Sequence, residues 1–149
     1  MTESATCRDT LHQRLRDVGV ERFNASHAHL LDLIIKAHAM VEEIFRRKPT
    51  AGDWQGMEQI LSDLAEYTRT HFREEEELMA QHGYPDHNAH REQHRALSEQ
   101  IRHFQEQCRQ QRTILFSSDL RIMLLDWLFS HINLHDVNYK AFFNAKGVH

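Results

Sequence analysis

The chain has 149 residues, of which 40% are hydrophobic and 27% are charged, and its formal net charge is −4 at pH 7. This length suits a single domain with its own core. The mild acidity argues against nucleic acid as a partner, because phosphate binding needs a basic face. The sequence contains no stretch of about 18 apolar residues that would span a membrane.

Two further features bear on the compartment. The first residues are polar and lack the apolar segment of a secretory signal. The two cysteines, Cys7 and Cys108, form neither a C-x-x-C pair nor a disulfide framework. We therefore expect a cytoplasmic protein.

The spacing of apolar residues predicts long helices joined by short connections. We expect an N-terminal arm over residues 1–20, whose last part packs on a helical domain over residues 21–149. The chain has only five Gly and two Pro, which favours long helices over many turns. The predicted helices cover about residues 24–47, 54–82, 86–112 and 117–145. They indicate an all-α fold, an up-down-up-down four-helix bundle.

Histidine is unusually frequent, with 13 residues, and imidazole is the commonest metal ligand among side chains. Each predicted helix directs at least one histidine toward the bundle axis, in phase with its apolar residues. These inward histidines are His27, His71, His90, His94 and His131. Glu75 lies one turn after His71 on the same face.

A single inward histidine is usually a hydrogen-bonded core residue, and an isolated pair at i, i+4 is common by chance. Five inward imidazoles with a carboxylate are too costly to bury unpaired, and a metal cluster would satisfy all of them. Zinc takes only three or four such ligands, so the set favours two bridged metal ions, and its chemistry suits iron. We interpret six other histidines as surface or rim residues: His12, His29, His38, His82, His103 and His149.

Three motifs carry a resemblance to a known family. The segment from His71 to Glu75 is similar to the motif H-F-x-x-E, and Tyr84-Pro85 followed by two histidines is similar to Y-P-x4-H-x3-H. The segment from Trp127 to Tyr139 matches W-L-x-x-H-I-x3-D-x-x-Y throughout. Over about residues 18–143 the chain resembles the hemerythrin family, especially its bacterial members.

The resemblance implies a non-haem di-iron centre, with two iron ions (Fe2+/Fe3+) and an oxo or hydroxo bridge. The positions that match the family's ligands are His27, His71, Glu75, His90, His94, His131 and Asp136. The last three histidines would bind one iron, the first two would bind the other, and the carboxylates would bridge them. The second iron would then lack a sixth ligand, and dioxygen would bind there.

Asp136 enters this set through the resemblance alone. On a regular helix the residue one turn after His131 is His135, while Asp136 is rotated about 140° away. A bridging group that reaches around to a second metal ion can use that offset, with or without local widening to a π-type turn, and His135 would then point to a neighbouring helix or to solvent. His87, one turn before His90, is likewise interpreted as a residue outside the site.

The chain departs from the family where the first helix starts. Bacterial members commonly read D-x-Q-H there, and this chain reads Asn24-Ala25-Ser26-His27. Asn24 is still able to cap the helix, whereas Ser26 in place of glutamine alters the hydrogen bonding near the site.

The resemblance also implies an apolar pocket for dioxygen. The matching positions are Leu30, Phe72, Trp127, Leu128 and Ile132. Such a wall admits dioxygen and restricts water, although plain core packing uses the same residues. Tyr139, near Asp136, is equally suited to a hydrogen bond within the site and to filling the end of the bundle.

The ligand set favours binding over turnover. Di-iron sites in ferritin-like bundles have four acidic ligands and two histidines, and five imidazoles with two carboxylates donate less charge. We expect reversible dioxygen binding for storage or delivery, and not an enzyme. Two alternatives stay open: an oxygen- or redox-sensing signalling domain with an unknown partner, and a di-iron enzyme of nitric oxide or peroxide chemistry. The chain ends soon after the fourth helix, which favours the carrier because sensors are usually fused to an output domain.

Overall fold

A computed structural model describes the backbone of residues 2–110, 112 and 114–149. It describes their side chains except at positions 2–6, 45, 114–119, 121 and 122. The helices are α1 (Thr2–Gln13), α2 (Glu21–Arg46), α3 (Ala51–His82), α4 (His87–Gln110), α5 (Ile114–Ser130) and α6 (Lys140–Ala145). A π-helical turn (His131–His135) and a 3-10 turn (Asp136–Tyr139) join α5 to α6. These ranges contain no strand, so the predicted all-α class is confirmed.

Helices α2, α3, α4 and α5 form the bundle. α3 packs against α2 and α4, and α5 packs against the same two helices, so the four close a ring. Short connections between them give the predicted up-down-up-down order. Apolar residues of all four helices fill the core: Leu31, Ile34, Val41, Leu61, Leu64, Ile101, Phe104, Leu124 and Leu128. Among the described residues, no helix is long and apolar enough to cross a membrane.

Local signals fix both ends of α3, the longest helix. Thr50 caps its start, because the Thr50 hydroxyl accepts a hydrogen bond from the Asp53 amide at 3.2 Å. The Asp53 carboxylate accepts one from the Thr50 amide at 2.8 Å in return, which completes a capping box. Gly83 ends the helix with φ +70°, and the Tyr84 amide donates to the Met79 carbonyl at 2.9 Å.

Two helices begin earlier than the sequence predicts. α2 begins at Glu21 and α5 at Ile114, about three residues before the predicted starts. The expectation that Asn24 caps α2 is wrong, since Asn24 lies inside the first turn. Its side chain instead accepts a hydrogen bond from the Val18 amide at 3.0 Å and donates one to Asp17 at 2.8 Å. The polar residue therefore fastens the arm to the helix.

The N-terminal arm contains a helix, α1, that the sequence did not predict. α1 lies against α2, where the Asp32 carboxylate accepts two hydrogen bonds from Arg8 at 3.0 Å. His12 contacts the same carboxylate at 2.8 Å. Val18 and Val20, at the end of the arm, are buried in the core as expected. The described part of the arm thus contacts the bundle both through α1 and at its end.

Candidate metal centre

All seven predicted ligands converge in the interior of the bundle. None is more than 5% exposed, and Glu75 and Asp136 are fully buried. Their ligand atoms form two overlapping groups, within each of which all atoms lie within 4.8 Å of one another. One group contains Glu75, His90, His94, His131 and Asp136, and the other contains His27, His71, Glu75 and Asp136.

The larger group joins α4 to the π-turn. Nε2 of His90 lies 2.9 Å from Oδ1 of Asp136, and Nε2 of His131 lies 3.1 Å from the same oxygen. Nε2 of His94 lies 3.1 Å from Nε2 of His131 and 3.6 Å from Oε2 of Glu75. The three imidazoles therefore present their Nε2 atoms to one small volume.

The smaller group joins α2 to α3. Nε2 of His27 lies 3.3 Å from Oε1 of Glu75 and 3.1 Å from Oδ2 of Asp136. Nε2 of His71 contacts the same Oε1 atom of Glu75 from one turn away on α3. This volume is adjacent to the first, because both groups share the two carboxylates.

Each carboxylate divides its two oxygens between the groups. Glu75 turns Oε1 to His27 and His71, and Oε2 to His90. Asp136 turns Oδ2 to His27 and Oδ1 to the histidines of the larger group. This is the arrangement that two carboxylates need if they are to bridge two neighbouring cations.

The electrostatics of these groups are those of a cation site. Burial and the neighbouring Glu75 favour the protonated form of Asp136, but the charge and hydrogen bond of His131 hold its pKa well below the usual range. Burial alone would lower the pKa of His27, but hydrogen bonds to Asp136 and Glu75 raise it to about 9. Two buried anions thus require positive charge beside them, which protons or metal ions supply.

Several buried polar atoms of the centre lie close to a charged partner but have no well-aligned hydrogen bond. Among the described residues these include Oε2 of Glu75, both carboxylate oxygens of Asp136 and Nε2 of His90. Buried polar groups are nearly always paired, so such a concentration needs an explanation. Coordination to metal ions would satisfy these atoms, and the mixture of imidazole and carboxylate fits iron.

The π-turn accounts for the position of Asp136. Its amide donates to the carbonyl of His131, five residues earlier, as well as to that of Ile132, four residues earlier, so the helix widens there. The widening brings Asp136 to the face that His131 occupies. His135 is directed elsewhere, and its Nδ1 accepts a hydrogen bond from the Gln93 amide group at 3.3 Å. The structure thus places Asp136, and not His135, in the centre.

The remaining histidines stay outside the two groups. His87 and the six predicted surface or rim histidines are exposed or only half-buried. His12 pairs with Asp32, and the ring of His29 lies 4.3 Å from that of Tyr67.

Aromatic side chains cover one side of the centre. The ring of Phe72 stacks on His94 with centroids 3.8 Å apart and an interplanar angle of 3°. The Trp127 ring lies nearly parallel to His131 at 6.0 Å, and Trp127 is half-buried. The aliphatic residues of the predicted pocket, Leu30, Leu128 and Ile132, are each 1% exposed. These three are core residues within one helical turn of His27 or His131 in the sequence, and the role of all five toward dioxygen stays a prediction.

Two more residues touch the centre. Glu76, which the sequence pattern did not single out, contacts Nδ1 of His94. Tyr139 is fully buried, with its ring 6.0 Å from that of His90 and its hydroxyl without a hydrogen bond. Burial, with the charges of Glu75 and Asp136, raises the Tyr139 pKa well above its usual value. Tyr139 also contacts Phe23 and Phe143, so it fills the end of the bundle as well.

The sequence of this chain is similar to those of known proteins. A family model described as Hemerythrin HHE cation binding domain matches residues 18–142. The chain belongs to the hemerythrin family. The resemblance carried by the three motifs is thereby confirmed, and in this hemerythrin-family chain those motifs lie on α3, at α4 and across α5 and the π-turn.

Curated relatives of this hemerythrin-family chain agree with that assignment. A bacteriohemerythrin of Stenotrophomonas maltophilia is 28% identical over 123 residues, which cover 83% of this chain and 74% of the relative. A bacteriohemerythrin of Pseudomonas aeruginosa is 22% identical over the same shares. Crystal structures of a leucine-to-phenylalanine mutant superpose with a TM-score of 0.68 at 23% identity, covering 83% of this chain and 88% of that chain. The last likeness shows the fold.

Proposed function

We propose that this chain binds two iron ions in the centre and uses them to bind dioxygen reversibly. The observation that carries the proposal is the division of the oxygens of Glu75 and Asp136 between two groups of histidines. A single ion would leave one group of imidazoles without a role. Two ions side by side employ both groups, and the relatives named bacteriohemerythrin support this interpretation.

The two ions would have unequal surroundings. The larger group offers five protein ligands and the smaller group offers four. If each carboxylate gives one oxygen to each ion, the ion beside His27 and His71 has room for an external ligand. The two ferrous ions together would supply the two electrons that dioxygen accepts on binding, one from each ion. The open position therefore lies on the α2 and α3 side of the centre.

The protein's part is to orient the ligands and to restrict water. Each histidine is fixed on a helix and presents Nε2 to the centre. Phe72 covers His94. Leu30 and Leu128 are buried, and each lies one helical turn from a ligand, His27 and His131 respectively. A dry apolar surround favours a neutral diatomic ligand over water and slows proton delivery.

We propose binding without turnover for two reasons. The centre contains only two carboxylates, whereas the oxidising ferritin-like sites contain four. The described residues also place no cysteine near it: Cys7 lies on α1, and Cys108 is buried near the far end of α4. Storage or delivery of dioxygen is the function that fits these features best.

One experiment tests the proposal directly. The iron-loaded protein is reduced without oxygen, titrated with dioxygen and then flushed with inert gas, while its absorbance is followed. We expect two iron ions per chain, one for each group, and bands that appear with dioxygen and disappear on its removal. One zinc ion with negligible iron would contradict the di-iron centre. Continuous dioxygen consumption in the presence of a reductant would contradict the carrier.

A further inference from the structure

The π-turn is the least regular part of the bundle, yet the centre depends on it. His131 and Asp136 belong to one group only because the turn contains an additional residue. In a regular helix Asp136 would be rotated about 140° away from His131. π-type turns are rare in proteins and are found mostly at functional sites. Some other contact is needed to hold this turn in the widened form.

Asn133, in the middle of the π-turn, makes such a contact with the N-terminal arm. Its Oδ1 accepts a hydrogen bond from the Arg16 amide at 3.1 Å. Its Nδ2 donates to the Arg14 carbonyl at 2.9 Å. One side chain therefore pairs with two backbone groups of the arm, as a neighbouring strand would.

The same stretch of the arm is held at further points beyond the π-turn. Lys140 pairs with Asp17 at 3.3 Å, and Nδ2 of Asn144 donates to the Gly19 carbonyl at 2.9 Å. Gly19 has φ +81°, and a Cβ atom there would lie 2.5 Å from Cγ of Lys140. The arm thus lies closely against the segment that carries Asp136.

The other end of the arm is fixed independently of the centre. Arg8 and His12 bind Asp32 of α2, and the guanidinium of Arg14 lies 4.2 Å from the centroid of the Phe129 ring. Because both ends are held, the Asn133 contacts act on a supported stretch of chain. The arm can therefore hold the π-turn against rotation.

We infer that Asn133 is a positioning residue of the metal centre, and that residues 14–19 of the arm belong to the structure that sets the position of Asp136. This inference rests on the proposed function. Asn133 touches no ligand and acts only through the register of the turn. Its loss should free the turn to exchange toward a regular helix, in which Asp136 no longer bridges.

The test compares Asn133→Ala with Asn138→Ala in the full chain. Asn138 is a matched control, because it lies in the next turn and its side chain, among the residues that the structure describes, bonds to the Leu134 carbonyl at 3.0 Å and not to the arm. Ferrous iron binding is measured without oxygen, in competition with a chelator. Outer-shell changes of this kind typically cost about 10–100-fold in metal affinity, and we expect Asn133→Ala to fall in that range while Asn138→Ala matches the parent.

A second measurement does not require metal. Hydrogen exchange of the Asp136 amide in the iron-free protein reports how stably the turn is closed, because this amide donates to the carbonyls of both His131 and Ile132, and it should be faster in Asn133→Ala than in Asn138→Ala. Should Asn133→Ala fail to fold by circular dichroism, Asn133→Asp is used, since it keeps the acceptor for the Arg16 amide and loses the donor to the Arg14 carbonyl. We expect a smaller change of the same sign.

The outcomes separate the two proposals. Equal exchange rates and equal iron affinity in the Asn133 and Asn138 variants would overturn the inference. A parent protein that binds no iron would refute the proposed function, and the exchange rates would still decide the role of Asn133.

Discussion

Nδ1 of His94 lies 3.0 Å from Oε1 of Glu76, so a carboxylate on α3 orients a histidine on α4. His94 is 2% exposed and its Nε2 faces the centre, while Glu76 keeps a quarter of its side chain exposed. The hydrogen bond fixes which ring nitrogen carries the proton and which is free to bind a cation. A third carboxylate thus supports the centre without entering it.

The first prediction concerns this pair. Glu76→Ala should weaken iron binding about 10–100-fold, because the His94 ring loses the partner that fixes its orientation. Glu76→Gln should have a smaller effect, since its amide oxygen still accepts the hydrogen bond. Chelator competition measures the affinity, with Glu77→Ala at an exposed neighbouring position as the control. If Glu76→Ala matches Glu77→Ala, Glu76 has no orienting role.

The second prediction tests which residue near the π-turn is a metal ligand, Asp136 or His135. Asp136→Ala should abolish binding of the paired ions, because it removes a ligand from both groups. His135→Ala should retain the iron content of the parent, since His135 bonds to Gln93 instead. Each purified variant is supplied with the same amount of iron, and the iron bound per chain is then measured. Loss of iron in His135→Ala with retention in Asp136→Ala would reverse the assignment.

The third prediction tests the apolar wall. Leu128→Ala should retain iron but lose its oxygenated form faster than the parent, because the cavity opens a path for water toward the centre. Leu61→Ala is the control: it is an equal change in the core of α3, placed ten residues, or about 15 Å, before His71. Either change should destabilise the fold by about 2–5 kcal/mol. Decay of absorbance in air gives the rate, and equal rates for all three proteins would show that Leu128 does not protect the site.

The fourth prediction concerns pH and the arm. Hydrogen bonds from Arg8 lower the pKa of the Asp32 carboxyl, whose contact with His12 acts in the same direction. A lowered pKa in the folded state means that this stabilisation is present above the unfolded value of about 3.9 and is lost as the pH falls below it. We expect α1 to detach from α2 in acid before the bundle unfolds.

Hydrogen exchange of α1 amides, followed alongside helical content, measures this release. Asp32→Asn should release α1 already at neutral pH, because the amide cannot pair with the guanidinium. An α1 that stays protected at low pH, or in Asp32→Asn, would show that packing of Leu11 and Leu15 holds it instead.

The helices and most of the ligands were predictable because both follow the same periodicity. His71 with Glu75, and His90 with His94, stand one turn apart in phase with core residues, so helix geometry alone brings each pair to one face. All seven candidate ligands converge in the structure, and helix periodicity places six of them, all but Asp136. Their convergence follows from a bundle with short connections.

The parts that escaped prediction depend on contacts between elements distant in sequence. Asp136 breaks the period, and only the resemblance to a family indicated it. Glu76 looks like one of a run of acidic surface residues until α4 is placed beside it. Asn133 bonds to residues more than a hundred positions earlier, and no local pattern reports such a pair. The cap role expected of Asn24 was wrong for a related reason, since its side chain bonds to Asp17 and Val18 at the end of the arm and not to the start of α2.

The ligands of the centre come from α2, α3, α4 and the two turns that follow α5, and the first and last of them, His27 and Asp136, stand roughly 110 positions apart. Metal ions held by such residues join distant parts of one chain, in the way that a disulfide closes a long loop and restricts the unfolded state. A ligand that binds only the folded chain also raises its stability by mass action. Iron supply would therefore govern how long each molecule survives as well as whether it takes up gas, and iron-starved chains would be the first to reach a protease.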